Sequence, residues 1–362
     1  MKTEAAHTLS TPIRDQVHKA YKYWLKIILF AVACAGLNAR AATAQTSPWL
    51  VNSILSESVG GQKFRSISCL TEDPVTGELY VVDNGRHEVD IIDSAGIPRY
   101  SFVHWVTDPQ TGQRVAGEPH ALVITPHGEI LITDYFSRSI DILNIRGERT
   151  GQIDVLSDIG WNDPSLRPEQ LALDGEGRLY VSIAGSRSGV ARCLTDGSSC
   201  ELLVDASAEG VQAITGMNVA EDGRFAVLDY RGEPAVRVYD PTGKQLIGFG
   251  GHEVSEGDLS YPTAFLFAAD GSFWIADALR HAVKHYGATG TFLEYVGGYG
   301  TRPGDLRYPT AVTGDGVGRL LVSERVGGRI QEYILPGADY AHVAPKPGTS
   351  TGSVAASPEI GH

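Results

Sequence analysis

Six glycines, Gly77, Gly128, Gly177, Gly223, Gly271 and Gly318, each stand six residues before the close of an apolar run, at Asp83, Asp134, Ile183, Asp229, Asp277 and Glu324. They lie 51, 49, 46, 48 and 47 residues apart, so the chain writes one structural unit six times. A second register keeps step with the first. Val89, Ile140, Val190, Val236, Val283 and Ile330 each lie seven residues before Gly96, Gly147, Gly197, Gly243, Gly290 and Gly337. A period between about 40 and 50 residues, with turn glycines and short β-branched or aromatic runs, belongs to radial β-propellers and solenoids. Each unit there is one supersecondary element that buries its apolar faces only against its neighbours.

Every unit reads as four strands. In the second, 121–125 is an apolar inner strand, Pro126-His127-Gly128 turns it, 129–133 returns, 140–143 alternates, and 151–156 makes an outer strand. Inner strands read as apolar on both faces because they would sit between neighbouring blades, whereas outer strands mix in polar residues. The sixth unit stops after 329–335 and meets Pro336-Gly337, with no fourth strand. The segment 50–57, followed by Gly60-Gly61, matches the outer-strand endings at 246–251 and 292–298 and predicts the missing strand. Such a closure removes exposed sheet edges, which a linear solenoid keeps. The expected fold is all-β, a six-bladed β-propeller over 47–336 whose N-terminal strand completes the last blade. The tail 338–362, rich in Ala, Pro, Gly and Ser, is expected to be disordered.

Residues 1–44 read as an export signal: an apolar stretch at 27–37, too short to span a bilayer, lies between Lys22 and Lys26 and the small residues Ala42-Thr43-Ala44. Cleavage after Ala44 is the better-formed reading. The box Ala31-Val32-Ala33-Cys34 offers a second, in which Cys34 carries a lipid and gives the only membrane attachment. The whole chain has 30 Lys and Arg against 43 Asp and Glu; without the six cations and two anions of 1–44 the balance is 24 against 41, a net charge of −17. So negative a surface repels phosphate backbones and argues against nucleic acid, leaving a protein or peptide partner or a small neutral or cationic ligand. Cys193 and Cys200 flank the turn Thr195-Asp196-Gly197-Ser198 and are expected to form a disulfide across a hairpin of an exported protein. Cys69, in an apolar strand, reads as a small buried hydrophobe.

The phrases Tyr261-Pro262-Thr263-Ala264, Trp274-Ile275-Ala276-Asp277, Arg280-His281-Ala282-Val283 and Tyr308-Pro309-Thr310-Ala311 resemble the NHL repeat family. The resemblance covers all six units and is weakest in the third, where Ile183 stands in place of the usual aspartate. It implies the six-bladed propeller and little about function, since members include protein-binding and RNA-binding domains, sensor domains and the peptidylglycine amidating lyase. In that lyase several inner-strand histidines bind a catalytic zinc, and Pro119-His120-Ala121-Leu122 is similar to one such opening.

The residues that open the inner strands, one per unit, are Ser68, His120, Glu169, Thr215, Thr263 and Thr310, and the fold would gather them around one axis. One histidine and one glutamate fall short of the three protein ligands that a catalytic zinc needs, so no metal or other cofactor is expected. A metal-dependent lyase or hydrolase with its site in the channel is the alternative to a binding or scaffolding module. Six arginines, Arg86, Arg138, Arg187, Arg231, Arg280 and Arg329, follow the acidic register; a ring of guanidinium groups could hold a carboxylate or phosphate ligand, and the favoured reading is that each fixes a loop by pairing with a carboxylate. His281 and His285, alternating with Val283, offer a two-ligand site on one strand face. The loops joining the blades carry Trp105 and Trp161, with Tyr135 and Tyr230 in shorter loops of the same face, as candidate anchors for a ligand or partner.

Overall fold

The computed structural model describes residues 49–108, 110–252 and 255–336. The export signal, Cys34 and the 338–362 tail lie outside the described residues. Six four-stranded antiparallel sheets account for nearly all of the fold, with one two-stranded hairpin beside them. The innermost strands are Ile67–Glu72, Pro119–Ile124, Arg167–Leu173, Ile214–Val219, Pro262–Phe267 and Pro309–Gly314. Each contacts the next, and the last returns to the first, so the sheets are blades of a closed ring. Leu50–Leu55 pairs antiparallel with Arg329–Ile334, from Leu50 opposite Ile334 to Leu55 opposite Ile330, and is the fourth strand of the last blade. The chain is a six-bladed β-propeller closed by its own N-terminal strand.

Side chains tie this closing strand on both sides. Trp49 is buried edge-on against Trp274 at 5.3 Å. Glu332 accepts hydrogen bonds from Asn52 Nδ2 (2.6 Å) and Ser53 Oγ (3.0 Å). Arg319 pairs with Glu332 on the last blade and with Glu72 on the first, which carries the tie across the seam.

The two glycine registers have separate causes. Gly77, Gly128, Gly177, Gly223 and Gly271 hold φ between +70° and +84°, the left-handed conformation that a tight turn between the first two strands demands. In the sixth blade Gly316 (φ +70°) takes this place rather than Gly318. Gly96, Gly147, Gly197, Gly243 and Gly290 of the second register also have positive φ and, in addition, lie against the preceding blade. A Cβ on Gly147 would run into the ring of Phe102, and one on Gly290 into Phe249. The repeat period therefore records contacts between blades as well as turns within them.

The expectation that the innermost strands are buried on both faces is corrected. Full burial falls on the second strands Leu79–Asp83, Ile130–Asp134, Phe225–Asp229 and Phe273–Asp277, while the first strands are partly open because they border the channel. The outer strands are largely exposed. Cys193 and Cys200 face each other across the hairpin as register partners and form the disulfide. Cys69 is half-buried, with its thiol near the Leu122 carbonyl, and burial pushes its pKa up.

The linker 104–118 between the first two blades folds into the hairpin Trp105–Thr107 and Arg114–Ala116. Its root is His104, buried, with Nδ1 2.9 Å from Asp134 Oδ2 and Nε2 3.2 Å from Asp141 Oδ2. Burial opposes the imidazolium charge, yet hydrogen bonds and attraction from the two aspartates outweigh it and hold the pKa above the usual histidine value. Arg149, beside Asp141 at 3.1 Å, completes the charge balance.

Deleting residues 49–55 should leave Arg329–Ile334 as an open edge and lower the thermal midpoint by roughly 10 °C or more, with self-association on size-exclusion chromatography. The charged His104 contributes stability that is fully present below its unfolded pKa, about 6.5, and is lost as pH rises through the higher folded value. Denaturant melts should therefore show wild type clearly more stable than His104→Gln at pH 6, with the gap narrowing at alkaline pH.

Candidate functional site

Strand-opening residues at the start of each innermost strand meet at one end of the channel, and their side chains have a structural task there. Thr215 Oγ1 donates to the Pro262 carbonyl at 2.7 Å, Thr263 Oγ1 to Pro309 at 3.0 Å and Thr310 Oγ1 to Ile67 at 2.9 Å. Asn84 Nδ2 reaches the Pro119 carbonyl at 3.2 Å, with Ser68 Oγ at 3.5 Å, and Thr133 Oγ1 reaches that of Glu169 at 2.7 Å. Each of these bonds joins one blade to the next, and a bulge after the opening residue frees the carbonyl that receives it. The polar ring expected from the sequence is thus largely a set of latches.

The acidic register has a matching role. Asp83 accepts the backbone N–H groups of Arg65 and Ser66, Asp229 those of Gln212 and Ala213, Asp277 those of Ser260 and Tyr261, and Glu324 that of Arg307. Each carboxylate satisfies the linker that enters its blade, a buried backbone that would otherwise lack partners. In the third blade, where Ile183 replaces the acid, Asp163 on the linker accepts from Ser186 Oγ at 2.6 Å instead. The arginines behind this register are held in place in several ways. Arg86 pairs with Glu88, Arg187 with Asp205 and Arg329 with Glu324, whereas Arg138 donates to the carbonyls of Asp163 and Leu166 and Arg231 lies over Tyr230.

Within this frame lies a cavity of about 270 Å³ at the channel mouth. Of the expected residues, Ser68, His120, Thr215, Thr263, Thr310 and Tyr135 line it. Glu169 does not: its carboxylate turns to Arg167 at 2.9 Å, with its pKa raised by burial, and Gln170 takes its place at the wall. A one-residue offset in the bulge sends neighbouring side chains to opposite faces. Trp161 is buried between blades beneath the Arg187 guanidinium, 3.9 Å from its ring centroid, and is no anchor at the mouth. Trp105, 47% exposed, sits on the hairpin away from the cavity with Arg114 over its ring. Tyr230 backs the cavity by packing at 4.9 Å against Tyr261, which does line it.

Two further lining residues, Asn84 and Arg325, belong with Tyr135 to a register the sequence reading passed over, the residue immediately after the acidic position. Its members are Asn84, Tyr135, Ala184, Tyr230, Ala278 and Arg325, and their variability was the signal. His120 has Nε2 3.0 Å from the Gln170 side-chain amide and its ring 4.8 Å from Tyr135. Burial foremost, and then the Arg167 charge, push its pKa down to about 4 against the pull of Asp134, so the imidazole is neutral at physiological pH. Burial raises the pKa of the Tyr135 phenol, with help from Glu169.

Among the described residues, no three His, Cys, Asp or Glu side chains converge in a way that could hold a metal ion. A glutamine, a tyrosine and hydroxyls surround His120, and that donor set does not fit a catalytic zinc. His281 and His285 form no joint site either. His281 precedes its strand in the left-handed conformation and packs between Tyr299 and Tyr308, while His285 stacks on Trp274 at 4.1 Å.

No protein-family model matches the chain, and a comparison with curated proteins finds no match. Solved structures do resemble it. Virginiamycin B lyase from Staphylococcus aureus, in a selenomethionine form, superposes with a TM-score of 0.53 at 15% identity over 74% of this chain and 80% of that one. A catalytically inactive variant of the same enzyme with quinupristin gives 0.51 over the same shares. The luciferin-regenerating enzyme gives 0.58 at 14% identity over 79% of this chain and 96% of that one. At such identities the likeness speaks for the fold alone. Among the described residues no helix is long and apolar enough to cross a membrane.

If the threonine hydroxyls are latches, Thr215→Val and Thr263→Val should each lower stability by about 1 kcal/mol in denaturant melts, because a carbonyl between blades loses its donor.

Proposed function

We propose that the chain is an exported, NHL-type propeller that acts as a binding module, with its ligand at the channel mouth on the face of the blade-linking loops. The observation that carries this reading is the mouth cavity itself. Its wall is rigidly latched, while tyrosine, arginine and amide side chains that the repeat does not require replace repeat residues around it. Rigid walls with a few placed polar groups are the usual form of a small-molecule site. The neutral His120 beside a glutamine and a tyrosine suits hydrogen-bond recognition better than electrophilic catalysis, which favours binding over the lyase. Export is supported by the leader and by the Cys193–Cys200 disulfide, a bond that persists in oxidising compartments.

The reading is tested by thermal unfolding of the pure protein against a panel of small metabolites. A ligand at 100 times its Kd should stabilise by about 2.7 kcal/mol, and the double variant Tyr135→Ala, Tyr261→Ala should lose that shift while keeping the unliganded midpoint within a few degrees. Chemical turnover of the stabilising ligand by the pure protein would replace the binding role with catalysis. Mass spectrometry of the mature N-terminus should place the cut after Ala44, or show a lipid on Cys34.

A further inference from the structure

Several polar groups at the mouth are committed to nothing within the protein, the Ser66 hydroxyl among them. The Arg325 guanidinium and the phenol hydroxyls of Tyr135 and Tyr261 all line the cavity, and none makes a hydrogen bond or ion pair among the described residues. All three are donors. The threonine hydroxyls around them are latched to carbonyls, and Gln170 faces His120. No Asp or Glu lines the cavity, although the chain without its leader carries a net charge of −17. Glu324, the neighbour of Arg325, turns inward to Arg329 and Gln331, and Glu169 is held by Arg167, so neither cancels the Arg325 charge. The overall charge argued for a neutral or cationic ligand; the local wall argues the opposite.

We propose that the mouth cavity binds a small organic carboxylate with a flat, unsaturated or aromatic body. The carboxylate would lie on Arg325 with a tyrosine hydroxyl as further donor, and the flat body against the rings of Tyr135 and Tyr261. A planar guanidinium matches a carboxylate through two parallel hydrogen bonds, whereas a phosphate dianion calls for a second cation or a cluster of backbone amides that this wall lacks. A cavity of about 270 Å³ is the size of a small-molecule site. The inference rests on the mouth being the ligand site and adds the chemistry of what enters.

Benzoate, benzamide and benzamidinium share one shape and carry charges of −1, 0 and +1, so titrating each into the full chain by calorimetry reads the charge preference directly. Benzoate should bind with a Kd on the order of 1 mM, benzamide at least fivefold more weakly, and benzamidinium more weakly still. Arg325→Gln should weaken benzoate about tenfold or more, and Arg325→Lys should restore part of that loss. Unchanged near-ultraviolet circular dichroism would show that both variants fold. Benzamidinium binding as tightly as benzoate, or an unchanged benzoate Kd in Arg325→Gln, would overturn the charge assignment while leaving the mouth as a ligand site. Failure of all three probes at about 20 mM would overturn the carboxylate proposal, and the metabolite panel then decides the broader reading independently.

Discussion

The ring stands on a single closing strand: Leu50–Leu55 is the first element among the described residues and the last element of the sixth blade. An antiparallel sheet that ends at Arg329–Ile334 would present unpaired N–H and C=O groups along an apolar edge, the commonest route to aggregation in β proteins. Pairing that edge with the opposite end of the chain makes every blade depend on closure, because the innermost strands contact one another in an unbroken circle. Arg319 sits where this dependence is concentrated. Its guanidinium holds Glu332 of the last blade and Glu72 of the first, so one cation spans the interface between the last blade and the first. A charge of this kind, partly shielded and shared between two carboxylates, is worth more than a surface pair and less than a fully desolvated one.

Closure leaves the inner ends of the blades with a problem of their own, since each bulge exposes a carbonyl towards the channel. The repeat meets it with a hydroxyl or amide at five of the six interfaces and with a carboxylate for the linkers that enter the first, fourth, fifth and sixth blades. Threonine and aspartate recur here because the backbone needs them. Chemistry specific to this chain is found where the repeat departs from itself. His120 and Gln170 stand at two openings in place of a latch, and Tyr135, Asn84 and Arg325 occupy a register whose other members include two alanines. Variation among six otherwise equivalent positions marks the proposed ligand face more sharply than the recurring residues do.

The fold was legible in the sequence because its determinants are local and repeated. Turn glycines at positive φ and apolar runs of fixed spacing name the strands, and the missing strand of the sixth unit points to the N-terminal segment that supplies it. Burial was less legible: alternation cannot tell a strand beside an open channel from one behind it, and the second strands proved the fully buried ones. The site was half legible. Openers could be counted from the glycines, but a bulge of one residue exchanged Glu169 for Gln170, and no periodicity announces a bulge. Trp161 looked like an anchor because it lies in a long linker, yet a helical turn at Val155–Asp158 carries that linker inward and packs the indole under Arg187.

The third blade shows how far the design tolerates loss of a recurring group. With Ile183 in the acidic position the linker cannot be held from inside the blade, and the tie is rebuilt from outside by Asp163, which accepts the Ser186 hydroxyl and lowers its own pKa to about 2 in doing so. Arg138 of the second blade completes the substitute by donating to the Asp163 and Leu166 carbonyls. The backbone's requirement is thus met by different atoms at the same place. What the fold requires is the satisfaction of the linker's polar groups, not the aspartate that usually provides it. The same reasoning separates the two kinds of group at the mouth: one that satisfies the backbone can be replaced from elsewhere in the fold, whereas the Arg325 guanidinium and the Tyr135 and Tyr261 hydroxyls satisfy no backbone group.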